Sequence, residues 1–263
     1  MNCTCDTCGH KYDAEPQPTH LLACGDSTDP EVVARVMGGE RAVLMATDPP
    51  YGVGYGDETG SNATAQKFGT IANDENDGPK LQAFLERAFT AAVDHALAPN
   101  AAWYLWHAQL TQGFFAAAAA AQLLIHRQII WVKPSLILGH GDYHWRHELA
   151  FYGWVQGNRP PFYGERNQTS VWEITNETTP NEREHPTQKA VELFLIPMRN
   201  HVHAGEIVYE PFAGSGTQII AAAIHGARCR AVELDPRYVD VIRRRWTTWA
   251  REAGLDPGSG ALD

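Results

Sequence analysis

The chain has 263 residues, of which 44% are hydrophobic, so it can bury one large α/β core or the cores of two small domains. Its 21 basic and 31 acidic side chains give a formal net charge of −10, an unusual balance for a protein with a nucleic-acid partner. A local basic groove can still act at short range. The five cysteines form no disulfide framework and no apolar run is long enough to cross a bilayer, so we expect a soluble cytoplasmic protein without a membrane partner.

Composition along the chain predicts the domain organisation. Residues 1–18 are polar and Cys-rich and are predicted to be an appendage, residues 19–253 carry the regular pattern of one domain, and residues 254–263 are predicted to be a flexible tail. A loop without periodicity, 52–79, interrupts the domain. Two interpretations of this loop stay open: a lid that closes over a site, and a disordered insertion.

Strands and helices alternate through the domain. Apolar runs predict strands at 19–24, 41–47, 101–107, 124–133, 147–155, 206–212 and 227–234, with a further short strand at 170–174. Helical spacing and capping residues predict helices over 30–38, 81–92 and 109–122, and others that begin near 187, 217 and 236. Pro197 is expected to kink or shorten the helix from 187. The alternation predicts a mostly parallel sheet, with ligands bound at the carboxyl ends of its strands.

A tetrapeptide of Asp48, Pro49, Pro50 and Tyr51 follows the buried strand 41–47. An amine on a nucleic-acid base is a poor nucleophile because its lone pair is delocalised into the ring, and acceptors placed against its two N–H bonds would free that lone pair. The Asp48 carboxylate and the Pro49 carbonyl can supply these acceptors, since two prolines hold the backbone rigid. Tyr51 offers a face on which an extruded base can stack. An ordinary turn after a strand is the alternative for these four residues alone.

A Gly-rich turn, 210–217, lies between a predicted strand and a predicted helix. Gly214 and Gly216 allow a ligand to approach the backbone and the helix N-terminus, although no third Gly completes the dinucleotide fingerprint. Glu233 ends the next strand about twenty residues later, where a carboxylate can accept both ribose hydroxyls. Together the turn and the acid favour an adenosyl cofactor. A tight structural turn and a neighbour of a helix N-cap are the alternatives for each one alone.

These motifs, in this order, resemble those of the β group of DNA amino-methyltransferases over about residues 19–250. The tetrapeptide resembles the catalytic motif of that group. The positions that match its cofactor-binding residues are Asp26 and Ser27 for the adenine, Thr187, Gln188 and Lys189 for the methionine part, Glu210, Phe212, Gly214, Gly216 and Thr217 in the turn, and Glu233 for the ribose.

The resemblance implies an α/β, Rossmann-like methyltransferase fold whose seven-stranded, mostly parallel sheet has one antiparallel strand and helices on both faces. It also implies that a methyl group passes from S-adenosylmethionine to an exocyclic amine of a flipped DNA base without a covalent enzyme intermediate. Relatives with Asp at the first tetrapeptide position act mostly on adenine N6, and those with Ser mostly on cytosine N4. We therefore expect a DNA (adenine-N6) methyltransferase, with cytosine N4 as the alternative.

The interval that holds the recognition region in this group is short here, at about residues 156–184. A short interval implies a short or degenerate target sequence, or help from a second subunit in a homodimer. The basic residues that we consider as DNA contacts are Lys67, Lys133, Arg146, Arg159, Arg166 and Arg183. Solvated surface charge is the alternative for any single one of them.

Two clusters of metal-ligand side chains are also present. The first comprises Cys3, Cys5, Cys8 and His10, and the second His140, Asp142, His144 and His147. The first is half of a zinc knuckle whose second half is missing, so we expect no metal there, although zinc is an alternative. The second is expected to pack in the fold or to line the substrate site.

Two other classes of protein are weighed against DNA methylation. An RNA or protein methyltransferase on the same sheet usually carries Asn in place of Asp48 and has the cofactor turn before the tetrapeptide, so the motif order argues against it. A non-catalytic nucleic-acid-binding module would have a vestigial cofactor fold. The intact tetrapeptide and Gly-rich turn argue against that class.

Overall fold

The computed structural model describes residues 2–4, 11–13, 20–53, 74, 78–137, 142–175, 189–255 and 257. In this part of the chain the helices are α1 (Pro30–Met37), α2 (Gly78–His95), α3 (Gln112–Ala120), α4 (Glu192–His201), α5 (Thr217–His225) and α6 (Pro236–Glu252). The strands are β1 (Asn2–Thr4), β2 (Lys11–Asp13), β3 (Leu21–Cys24), β4 (Ala42–Thr47), β5 (Leu97–His107), β6 (Leu123–Ile137), β7 (Trp145–Val155), β8 (Val171–Glu173), β9 (Ile207–Glu210) and β10 (Arg228–Glu233).

The main sheet has the strand order β3-β10-β9-β4-β5-β7-β6-β8, and β1 pairs with β2 in a separate antiparallel sheet. All main-sheet pairs are parallel except those of β7, which runs antiparallel to both β5 and β6. The predicted mostly parallel sheet with one antiparallel strand is therefore confirmed. It has eight strands instead of the seven expected, because the short strand β8 adds to the edge of β6.

Local capping chemistry sets the ends of two helices where the sequence predicts them. The Asp29 side chain accepts a hydrogen bond from the backbone N–H of Glu31 at the start of α1, and Gly38 ends that helix in the left-handed conformation with φ of 58°. At the start of α6 the Asp235 side chain accepts in the same way from the N–H of Arg237. Side-chain acceptors satisfy amide groups that the first turn of a helix leaves unpaired.

The helix predicted from residue 187 differs most from expectation. In the structure α4 begins at Glu192 and continues through Pro197 to His201 without ending at the proline. Proline removes one hydrogen bond within a helix. Leu193 and Met198, on the two sides of Pro197, are buried in the core, and this packing stabilises both halves of α4.

Apolar side chains cover both faces of the sheet, as the continuous apolar runs predict. In β4, Leu44 belongs to one hydrophobic cluster and Met45 to the other, and in β5 Trp106 and Trp103 divide in the same way. Each large side chain removed from water contributes about 1.5–3 kcal/mol. Across the described residues every helix is too short or too polar to span a bilayer.

The chain stays against the domain beyond the end of α6. Leu255 packs against the first cluster, and the Trp246 Nε1–H donates to the carbonyl of Pro257 at 3.1 Å. Contact therefore extends a few residues past 253, the boundary predicted from composition.

Candidate active site

The tetrapeptide and the Gly-rich turn meet at the carboxyl edge of the sheet. β4, which precedes Asp48, lies beside β9, which ends at Glu210. The Thr47 hydroxyl donates a hydrogen bond of 2.5 Å to the Glu210 carboxylate, across 163 positions of sequence. This contact joins the two strands at the point where each of them ends.

Both carboxylate oxygens of Asp48 are engaged. The Tyr51 hydroxyl donates to Oδ1 at 2.6 Å, and the Lys189 ammonium donates to Oδ2 at 2.5 Å. Lys189 Nζ also lies 2.8 Å from the Tyr51 hydroxyl and 5.2 Å from the centre of its ring. Burial raises the pKa of Asp48, and the charge of Lys189 acts in the opposite direction. Tyr51, predicted only to stack on a base, therefore also orients Asp48 through its hydroxyl.

Lys189 connects Asp48 to a second carboxylate that the sequence analysis did not identify. Its ammonium forms an ion pair of 3.2 Å with Glu148 on β7, and Glu148 pairs with Lys133 of β6 at 2.5 Å. Only 4% of the Lys189 side chain is exposed. The two ammonium groups lower the pKa of Glu148 to about 2 despite its burial, so Glu148 is ionised near neutral pH. An acidic residue in an otherwise apolar strand, ELAFYGWV, was the available signal for it.

Two residues outside the motifs hold the backbone after the tetrapeptide. The Thr111 hydroxyl, just before α3, donates to the carbonyl of Tyr51 at 2.8 Å. Asp74, which lies in the long loop, accepts from the N–H groups of Gly52 at 2.6 Å and Val53 at 3.3 Å. Most of the loop 52–79 lies outside the described residues. Asp74 attaches one point of this loop directly beside the tetrapeptide.

Glu210 is a fully buried acid at the start of the Gly-rich turn. Its Oε1 accepts from the N–H of Phe212 at 2.8 Å as well as from Thr47, whereas its buried Oε2 has no hydrogen-bond partner within the described structure. Burial, with the nearby charges of Asp48 and Glu233, raises the pKa of Glu210 to about 8. A buried oxygen without a partner is costly, so this atom suits a donor supplied by a ligand.

Glu233 lies where the sequence predicts the acid, at the end of β10. Its Oε2 accepts from the N–H of Gly214 at 2.7 Å and its Oε1 from the N–H of Asp235 at 2.9 Å. The carbonyl of Glu233 accepts from the N–H of Gly25 at 2.9 Å, so the turn containing Asp26 and Ser27 adjoins the same strand end. Asp26 is exposed and Ser27 is buried. A carboxylate can accept about four hydrogen bonds, so Glu233 keeps acceptor capacity beyond its contacts with the backbone of Gly214, Leu234 and Asp235.

The remaining predicted residues of the turn have structural contacts. Gly216, with φ of 78°, precedes α5, and Thr217 is the first residue of that helix. Arg245 of α6 donates to the carbonyl of Ser215 and reaches the Thr217 hydroxyl at 3.4 Å. The Phe212 ring lies 5.7 Å from that of Phe84. Lys189, predicted to contact the methionine part of a cofactor, binds Asp48 in the described structure, and its neighbours Thr187 and Gln188 lie outside the described residues.

The structure separates the predicted DNA contacts by position. Arg146 is exposed near the start of β7, at the same edge as Asp48. Lys133, also at this edge, is paired with Glu148 and only 16% exposed, so it belongs to the site's ion-pair network. Arg159 follows the end of β7, and β7 is antiparallel, so Arg159 lies at the opposite edge of the sheet. Arg166 is exposed in the segment that leads to β8, whereas the placements of Lys67 and Arg183 are not described.

The described part of the predicted recognition interval, 156–175, packs against α4. The N–H of Tyr163 donates to the carbonyl of Asn200 at 2.8 Å, and the side chains of Gln168 and Asn200 form reciprocal hydrogen bonds of 2.7 and 3.0 Å. A β-carbon at Gly164 would lie 2.0 Å from the Asn200 side chain, so this approach needs glycine. The part of the interval left to contact DNA is smaller than 156–184.

The described residues contain no group of three or more His, Cys, Asp or Glu side chains suited to a metal. Asp142, His144 and His147 are among the described residues, whereas His140 and the side chains of the N-terminal cysteine cluster lie outside them. Zinc at the N-terminal cluster therefore stays an alternative that rests on the sequence alone.

Comparison with known proteins agrees with the geometry. A family described as DNA methylase, the N6/N4 group, matches residues 43–244. The putative methylase YubD of Escherichia coli (strain K12) is 28% identical over 204 residues, which cover 76% of this chain and 79% of that protein. The type II methyltransferase M2.MboI of Moraxella bovis is 20% identical over 219 residues, covering 77% and 80%.

Two solved structures share the fold. The M1.HpyAVI–SAM complex has a TM-score of 0.64 and 18% identity, and the similarity covers 86% of this chain and 98% of that one. PvuII DNA methyltransferase, which is cytosine-N4-specific, has a TM-score of 0.64 and 14% identity, covering 89% and 90%. The family match includes the tetrapeptide, the turn 210–217 and Glu233, the same groups that the sheet brings to one edge. The chain therefore belongs to the N6/N4 family of DNA methylases.

Proposed function

We propose that this protein transfers a methyl group from S-adenosylmethionine to N6 of an adenine extruded from DNA. The observation that carries the proposal is the junction of β4 and β9, where Asp48 follows Thr47 and Thr47 is bonded to Glu210. This junction puts an acceptor for an amine beside the turn suited to a cofactor. Positioning of two reactants side by side is a large part of what such a catalyst must supply.

The residues at this edge fit the cofactor. Glu233 has lone pairs for the ribose hydroxyls, and the unpartnered Glu210 Oε2 suits the ammonium of the methionine part. The Asp26–Ser27 turn adjoins the Glu233 end and suits the adenine. We assign Thr187, Gln188 and Lys189 to the methionine part by resemblance. When bound, the cofactor supplies an electrophilic methyl group on a sulfonium.

The chain's own residues prepare the amine. Asp48 and the carbonyl of Pro49 accept its two N–H bonds, which draws the nitrogen toward tetrahedral geometry and frees its lone pair. Transfer of the methyl group to the amine would leave the cofactor as a neutral thioether, and the proton that the methylated amine loses would pass to water. Tyr51 holds Asp48 in place and gives a ring for the base to stack on, worth about 1–3 kcal/mol. That contribution offsets part of the few kcal/mol that base extrusion costs.

Adenine is proposed because the tetrapeptide begins with Asp48. Cytosine N4 is the second candidate, and the similarity of the fold to the cytosine-N4-specific PvuII enzyme favours it. Both products come from the same amine chemistry, so only the identity of the modified base separates them. We further propose a short DNA target, or a homodimer that shares recognition, because part of the interval 156–184 packs against α4.

A methylation assay with product analysis tests the proposal. The protein is incubated with S-adenosylmethionine and with plasmid DNA or RNA, and the digested nucleosides are identified by mass spectrometry. N6-methyl-2′-deoxyadenosine from DNA is expected, N4-methyl-2′-deoxycytidine would establish the second candidate, and methylated ribonucleosides from RNA alone would overturn both. Asp48→Ala should abolish transfer while cofactor binding, measured by calorimetry, is kept. Asp94→Ala, at an exposed position of α2, is the matched control with full activity. Full activity of Asp48→Ala would overturn the mechanism.

A further inference from the structure

Two carboxylates compete for one buried ammonium at the active site. Lys189 Nζ lies 2.5 Å from Asp48 Oδ2 and 3.2 Å from Glu148 Oε2. In this arrangement each Asp48 oxygen already accepts one hydrogen bond, Oδ1 from Tyr51 and Oδ2 from the charged Lys189, so an amine would have to share an oxygen with another donor. An ammonium on the carboxylate also withdraws the electron density that an amine N–H needs from its acceptor. The arrangement therefore differs from the one that the proposed reaction requires of Asp48.

We propose that Glu148 is a positioning residue, which takes the Lys189 ammonium when the target amine enters and so leaves Asp48 Oδ2 free to accept from that amine. This inference rests on the proposed function. Glu148 does not touch the substrate in this scheme and acts only through Lys189. The same carboxylate would return the ammonium to Asp48 after the product base leaves.

The geometry suits such a transfer. Glu148 lies within β7, where it pairs with Trp131 of β6, and its neighbour Leu149 pairs with both β5 and β6, so the sheet holds its backbone in place. Its second oxygen is held by Lys133 at 2.5 Å, which orients the first oxygen toward Lys189. Glu148 Oε2 is buried without a hydrogen bond in the described structure and lies 3.2 Å from the Lys189 ammonium, so it is an acceptor ready for that group. The network consists of two carboxylates and two ammonium groups. Its net charge stays the same when the Lys189 ammonium changes its carboxylate partner.

The charges around Asp48 predict the direction in which its pKa changes when Glu148 loses its charge. The groups that face it are Tyr51 from its own loop, Lys189 from before α4, Glu148 from β7 and Glu210 from β9. Glu148 raises the pKa of Asp48 and Lys189 lowers it. Without the Glu148 charge, Lys189 stays on Asp48, so Asp48 becomes a poorer acceptor and is also easier to ionise. The poorer acceptor should lower the rate of methyl transfer, and the easier ionisation should change the pH dependence of that rate.

The test is Glu148→Gln, assayed with saturating DNA and cofactor over a range of pH. We expect kcat to fall about tenfold or more. The acid limb of the pH profile should move to lower pH by about half a unit or more. The cofactor KM should stay within about twofold, because Glu148 is not among the residues proposed to bind the cofactor. Glu173→Gln is the matched control, since Glu173 is exposed on β8 of the same sheet and should behave as the wild type.

A second variant keeps the inference falsifiable if Glu148→Gln folds poorly. Lys133→Met leaves Glu148 with Lys189 as its one ammonium partner in the described network. Lys189 should then bind Glu148 more strongly, and the acid limb of the pH profile of methylation should move to higher pH. Opposite shifts in the two variants support the inference. An unchanged kcat in Glu148→Gln, or a slower enzyme whose acid limb does not move to lower pH, overturns it. A wild-type protein that methylates no DNA overturns the proposed function instead.

Discussion

Gly216 and Ile242 approach each other so closely that a β-carbon on the glycine would lie 2.9 Å from Ile242 Cγ2. Gly216 precedes α5 in the left-handed conformation, with φ of 78°, and Ile242 belongs to α6. The Gly-rich pattern of the turn predicts that a ligand approaches this glycine. In the structure the close packing of α6 against the Gly-rich turn 210–217 also requires glycine at this position.

Gly216→Ala is expected to destabilise the protein both by backbone strain and by contact of the new β-carbon with Ile242. It should therefore destabilise more than a glycine substitution that causes backbone strain alone. Gly205→Ala is the matched control, because φ at Gly205 is 83° and no atom lies within 4 Å of the added β-carbon. The control should lose about 1–2 kcal/mol of unfolding free energy, and Gly216→Ala about 1–3 kcal/mol more from overpacking. Urea denaturation measures both. Equal losses would show that Ile242 gives way at little cost.

The raised pKa of Glu210 predicts a specific pH dependence of stability. The native state keeps a proton on Glu210 between its ordinary pKa of 4.5 and about 8, and the unfolded chain releases it. Stability is therefore lost as pH rises through this window, by up to about 1.4 kcal/mol per pH unit. Denaturation of the cofactor-free protein between pH 6.5 and 8 checks this. Glu210→Gln should flatten the slope and the exposed Glu252→Gln should keep it. The same slope in both variants would refute a protonated Glu210.

Three buried histidines predict the opposite trend at lower pH. Burial is the largest cause that lowers the pKa values of His20, His107 and His201 to about 4. The unfolded chain binds these protons below pH 6.5, so stability falls as pH decreases from 6.5 through 4. His201→Gln should reduce this acid sensitivity, and the exposed His144→Gln should not. An unfolding free energy independent of pH from 4 to 6.5 in the wild type would contradict the prediction.

Glu233→Gln should weaken binding of S-adenosylmethionine about tenfold or more, with little effect on kcat at saturating cofactor. Its carboxylate is the acceptor proposed for the ribose, and it also holds the N–H of Gly214. An amide can still accept from Gly214 but has only one oxygen. Calorimetry gives the dissociation constant, and a thermal shift without cofactor separates loss of the turn from loss of the ligand. An unchanged dissociation constant would refute the ribose assignment.

DNA affinity should depend on salt despite the formal charge of −10. Arg146 lies at the active-site edge and Arg159 at the opposite edge. Arg146→Ala should therefore lower affinity and reduce the salt slope by about 1, as loss of one phosphate contact does. Arg159→Ala is the matched control. Fluorescence anisotropy at several salt concentrations measures both, and equal behaviour of the two variants would contradict the assignment of the DNA-facing edge.

Local signals explain why much of the fold could be predicted. The run 41–47 is apolar because both faces of its strand are buried, and Asp29 and Asp235 cap helices through their own neighbours. Glu233 was predicted to lie at a strand end, and the order of strands and turns brought it to the same edge as the tetrapeptide. The short strand β8 and the passage of α4 through Pro197 depend on distant packing, which no local pattern contains.

The sequence by itself determined which groups stand at the ends of the parallel strands, because apolar runs and turn residues are local properties of the chain. Only the tertiary structure decided what those groups contact. Asp48 and Lys189 are 141 positions apart, and Lys189 also contacts Glu148 on an antiparallel strand. The direction of that strand likewise decided that Arg146 lies at the edge of the sheet that carries Asp48 and Arg159 at the opposite edge. Such pairings arise when long loops close and the sheet assembles, so they depend on the packing of segments that are far apart in the chain.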